Sequence, residues 1–168
     1  MHGPANFCQT DLVSASMNEL LLRLIAHMRW ADSLVADALE SDGPPDADAV
    51  RLFGHIASVE HLWYSRILGQ PAAHAVWPDL SPSESRSVAA AHAGLFEQML
   101  RDADAAFLAR PIAYHNSAGH AYESPVSEIV IHTAMHGEHH RGQIARRLRA
   151  AGREPPYTDY IQYSRRDR

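Results

Sequence analysis

The chain holds a single cysteine, Cys8, and no lysine at all, so its 15 basic residues are all arginine. One thiol cannot close a disulfide within the chain or build a cysteine-based zinc cluster. Without lysine there is neither a P-loop lysine nor a lysine Schiff base. Long apolar runs are also missing: no stretch approaches the roughly 20 residues needed to span a bilayer. The opening MHGPANFCQTDLVSAS lacks the basic and apolar regions of a signal peptide, and residues 1–16 read as a flexible tail. A formal net charge of −5 leaves no basic footprint for nucleic acid and no cationic attraction to a membrane. These absences point to a cytoplasmic protein whose partner is a small-molecule substrate.

What is present suits one globular domain over residues 17–168, since 46% of the 168 residues are hydrophobic and 21% charged. SMNE at Ser16–Glu19 has the form of a capping box, and Leu20, Leu24, Ile25, Met28, Ala31, Leu34 and Val35 follow at helical spacing. The first helix is therefore predicted over 17–39. Asp46 or Asp48 caps a second, to about Leu68, with Leu52, Phe53, Ile56, Val59, Trp63 and Ile67 on one face. A long connection with Pro71, Pro78 and Pro82 leads to a third helix over 83–108. PIAYHNSAGHAYESP, with Asn116 and Gly119 as turn residues, reads as a small hairpin, after which Ser124 caps and Pro125 opens a fourth helix to about Ala151. Four amphipathic helices bury their apolar faces best against one another, so the fold class is all-α, a four-helix bundle with a long connection between helices two and three. The closing YTDYIQYSRRDR packs its tyrosines on the bundle end.

Twelve histidines are present, and four of them fall within HTAMHGEHHRGQ, His132 to Gln143. On an ideal helix His136 and His140 lie about 40° apart, one turn from each other, close to the apolar stripe of Val126, Ile129 and Ile144. His139 faces away and His132 lies on the edge. On the second helix His55 flanks the apolar face, whereas His61 falls opposite Leu52 and should face water. His74, His92, His115 and His120 take a surface reading too. Spacing alone leaves a metal site and hydrogen-bonded core histidines both open. Two other metal motifs fail: H-E-x-x-H needs its glutamate where Gly137 stands, and E-x-x-H occurs nowhere.

RWADSLV at Arg29–Val35, GHIASVEHLW at Gly54–Trp63, HGEHHRGQI at His136–Ile144 and the ending GREPPYTDYIQY resemble the DinB-like metal-dependent four-helix bundles, a family that includes thiol-dependent S-transferases and isomerases. The resemblance covers nearly the whole chain from Met17, and it implies His55, His136 and His140 as ligands of one divalent ion. His132 and Gln143 are candidates to support these ligands, and Glu60, which recurs in the family motif, reads as a buried hydrogen-bonding group. Arg141 and the arginines at 146, 147, 149 and 153 read as complements to the helix dipole, with an anion patch as the alternative. Relatives commonly form homodimers.

Three neutral imidazoles leave a divalent ion its full charge and an open position, the pattern of catalytic rather than structural sites. Zinc or nickel is favoured, with iron or manganese admissible, and a low-molecular-weight thiol is a candidate cosubstrate. The expected function is that of a metal-dependent enzyme of thiol S-transferase or isomerase type. A metal-dependent hydrolase and a non-catalytic, stress-related metal binder are the alternatives.

Overall fold

The computed structural model describes residues 9–41 and 46–166. Four long helices dominate: α1 (Gln9–Glu40), α2 (Ala47–Ile67), α3 (Pro82–Arg101) and α5 (Val126–Ala150). Between the last two lie a one-turn helix, α4 (Ala105–Ala109), and a hairpin of β1 (Pro111–His115) and β2 (Ala121–Pro125); a second short helix, α6 (Tyr160–Ser164), follows α5. No described helix is long and apolar enough to cross a membrane.

Local chemistry sets most of the boundaries. Asp46 caps α2 by accepting from the Ala49 N–H at 2.9 Å, and Ser81 caps α3 in a full capping box with Glu84. The expected third helix is broken: α3 ends at Arg101, and Asp104 accepts from the Phe107 N–H to start α4 afresh. Ser16 does not cap α1, because the backbone is already helical from Gln9; residues 1–8 of the expected tail lie outside the described residues. Nor does Ser124 cap α5. It pairs with Ile112 in the hairpin, and Pro125 takes the cap position without a side-chain bond.

Around the bundle the helices run α1, α3, α2, α5, each packed on its neighbours, so the consecutive helices α1 and α2 stand diagonally opposite. Leu21, Ile25, Met28, Trp63, Phe96, Leu100 and Ile129 form one apolar cluster, and Val35, Leu39, Phe53, Ile56, Ile144 and Leu148 a second. Each such side chain contributes roughly 1.5–3 kcal/mol by leaving water. Along α1 and α5 a polar layer separates the clusters, with Asp32 between Met28 and Val35 and Arg141 between Ile129 and Ile144. The C-terminal tyrosines Tyr160 and Tyr163 lie against His27 and Trp30, midway along α1 and not on the bundle end, and Tyr157 is exposed.

Candidate metal centre

Helices α2 and α5 are neighbours, and they bring His55, His136 and His140 together with one ring nitrogen of each within 4.8 Å of the others. Hydrogen bonds decide which nitrogens converge. His55 is buried, and its Nδ1 lies 2.8 Å from the carbonyl oxygen of Val76; a carbonyl only accepts, so Nδ1 carries the proton and Nε2 keeps its lone pair. His140 Nδ1 donates to Gln143 Oε1 at 3.0 Å, which frees its Nε2 in the same way. That Nε2 stands 3.2 Å from His136 Nε2. Burial and the neighbouring histidines push the His136 pKa down to about 3, and burial also lowers that of His55, so both rings are neutral at ordinary pH. Neutral imidazoles turning unprotonated nitrogens to one point fit a divalent metal ion.

The long connection between α2 and α3 supplies the back wall. Besides the Val76 carbonyl it provides Trp77, whose indole stacks on the His55 ring at 3.8 Å and 7°. Sequence reasoning passed over Trp77. Its one signal was a large aromatic residue in a proline-rich loop, and loop packing has no periodicity to read. Gly54, just before His55, has the Pro78 carbonyl oxygen 3.6 Å from where a Cβ would stand, so the helix and this loop lie in contact.

Of the remaining expectations, His139 is exposed, as the helical wheel requires, and receives a hydrogen bond from the Gln143 amide. His132 is also exposed; its ring sits 5.2 Å from Trp63 and 5.7 Å from His136, on the rim of the site. His61 departs from its solvent reading. It is half-buried, with Nδ1 2.9 Å from His92 Nε2 and Nε2 accepting from the Ala73 N–H, because α3 and the loop close over that face of α2. His92 is half-buried with it, and His74 stands at 5.0 Å from the His61 ring.

Arg141 is the largest correction. Its side chain is fully buried and pairs with Asp32 Oδ1 at 2.8 Å and Glu138 Oε2 at 3.0 Å, so it does not serve as a surface complement to the dipole. Gly137 makes this possible: a Cβ there would stand 2.8 Å from Arg141 Nη1. Glu60, buried as expected, approaches Asp32 from the opposite corner of the bundle. Among the described residues both Glu60 carboxyl oxygens and Asp32 Oδ2 lack a donor, and a proton held by Glu60 and donated to Asp32 resolves two of the three. Burial above all, then the charge of Asp32, pushes the Glu60 pKa well above the carboxylate range. The folded state then binds more protons than the unfolded chain from about pH 4.5 upward, so this group lowers stability as pH rises through that window. Glu60→Gln keeps the shape and a donor without the titration. In urea unfolding it is expected to match the parent near pH 5 and exceed it by about 1 kcal/mol or more at pH 8. A loss of more than about 2 kcal/mol at both pH values would mean that Glu60 is an ionised acceptor.

A bundle with three convergent imidazoles between its second and last long helices defines a helical protein competent to bind a metal ion. Over residues 17–167 the sequence matches the model of the DinB family, and the chain belongs to that family. A search of the curated proteins finds no match.

Proposed function

We propose that His55, His136 and His140 hold one divalent ion, zinc or nickel before iron or manganese, and that the protein is an enzyme of thiol S-transferase or isomerase type acting on a small molecule. The observation that carries this reading is the convergence of the three histidines, two of which, His55 and His136, line an open cleft. That cleft, of about 410 Å³, runs from His55 and His136 past His132 to Trp63, Tyr114 and Tyr122. It is large enough for a small organic molecule.

When bound, the ion supplies Lewis acidity and lowers the pKa of a thiol or water at its open position. The chain's own groups orient and shield. The Val76 carbonyl and the Trp77 ring fix the His55 plane, and Gln143 fixes His140. Trp63 and Tyr114, edge to face at 4.9 Å, give the cleft an aromatic wall. No carboxylate lines this cleft among the described residues. Hydrolysis of the zincin kind needs a carboxylate base beside the ion, so its absence favours a thiol, which needs only the metal to become a nucleophile.

With cobalt in place of the native ion, a small thiol is expected to produce a sulfur-to-metal charge-transfer band while the far-ultraviolet circular dichroism stays unchanged. Cysteine, glutathione and a sugar-linked thiol form the panel. A spectrum indifferent to all three would reject thiol chemistry and leave the hydrolase or the non-catalytic binder.

A further inference from the structure

On the other side of Trp77 lies a second cleft, of about 460 Å³, lined by residues of α2 and α5. The indole has two faces. His55 stacks on one at 3.8 Å, so the Arg51 guanidinium, 4.7 Å from the ring centroid, occupies the other. A guanidinium held over an aromatic ring spends none of its N–H donors on that contact, and they remain available for a two-pronged bond to an oxyanion. Arg146 and Arg147 enter the same cleft from α5. Arg147 is already engaged by Asp46 and Asp48. Among the described residues the exposed Arg51 and Arg146 pair with no carboxylate, and Asp48, which also lines the cleft, is taken up by Arg147. Gln143 belongs both to this cleft and to the histidine site, through its bond to His140.

We propose that this cleft is an anion subsite, in which Arg51 and Arg146 receive the carboxylate or phosphate group of a small molecule. Leu52 and the edge of Trp77 offer apolar surface to the rest of that molecule, whose far end reaches the three histidines across the indole. Only this last part, the reach to the histidines, rests on the metal reading. The subsite itself follows from the arginines.

Isothermal titration of the full chain at low salt, with and without zinc, tests the subsite using phenyl phosphate, 3-phenylpropionate and the neutral 3-phenylpropionamide. At least one anion should bind, and the amide should bind at least about tenfold more weakly. Arg146→Gln and the double variant Arg51→Gln/Arg146→Gln should each weaken the anion, the double variant by at least about tenfold. Arg165→Gln, at the C-terminal cap of α6 and outside the cleft lining, should change nothing. If one anion binds and the other does not, the subsite holds and its group is named. The proposal is overturned if neither anion binds below about 10 mM, if the amide binds as well as the anions, or if the double variant binds like the parent. Zinc content measured on the same samples reports separately on the histidine site, so either reading can fail alone.

Discussion

Single replacement of His55, His136 or His140 by Ala is expected to reduce bound metal from about one ion per chain to less than about a tenth after reconstitution and dialysis. His55 and His140 are held in place through their other ring nitrogen, and among the described residues no fourth histidine, cysteine or carboxylate joins the cluster to substitute for a lost ligand. His139→Ala and His61→Ala should leave metal content intact, the first because its ring is exposed, the second because its nitrogens serve His92 and Ala73. His132→Ala should also retain the ion, since its ring lies at the rim, 5.7 Å from His136. Elemental analysis of the six proteins checks the set. Loss of metal from His139→Ala with retention in His140→Ala would place the inward face of α5 one residue out.

Arg141→Leu is expected to destabilise the fold by about 3–5 kcal/mol, the usual cost of leaving one member of a buried ion pair without its partner. Asp32 would be left in the core beside Glu60 without the guanidinium that now pairs with it. Against a total stability of roughly 5–15 kcal/mol such a loss empties much of the native population at 37 °C. Replacing Asp32 by Leu in the same chain should recover a large part of the loss, because an apolar pair of similar volume avoids the desolvation of both charges. Gly137→Ala reaches the same group by another route: its Cβ would displace a guanidinium that two ion pairs hold in place, and we expect a cost of about 1–3 kcal/mol. Denaturant unfolding of these three variants and of Asp32→Leu alone measures these terms. A fully additive double variant would show that Arg141 and Asp32 do not act together.

Helical periodicity made part of this arrangement legible before any coordinates. The wheel placed His136, His140 and His55 on inward faces and His139 outward, and the structure agrees at each of the four. Periodicity does not report how far a side chain travels after leaving its helix. Arg141 follows His140 in the chain and reads as one more surface cation, yet the missing Cβ of Gly137 lets it fold back beneath its own helix. Asp32 stands in an alternating run of small and apolar residues and is buried because Arg141 neutralises it, a fact that lies 109 positions away. His61 and Trp77 were misread or missed for a related reason. Both are covered or positioned by the connection between α2 and α3, and the path of a proline-rich loop leaves no repeating signal.

The diagonal placement of α1 and α2 leaves the edge between α2 and α5 as the seam where early and late parts of the chain meet. An ion shared by His55 and the two histidines of α5 would bridge a segment of about 80 residues, and closing a loop of that size restricts the unfolded chain far more than a local contact does. Metal loading would then also be a tether. It would slow the parting of the two halves of the bundle, so loaded and empty protein would differ most in how long they survive proteolysis and heat.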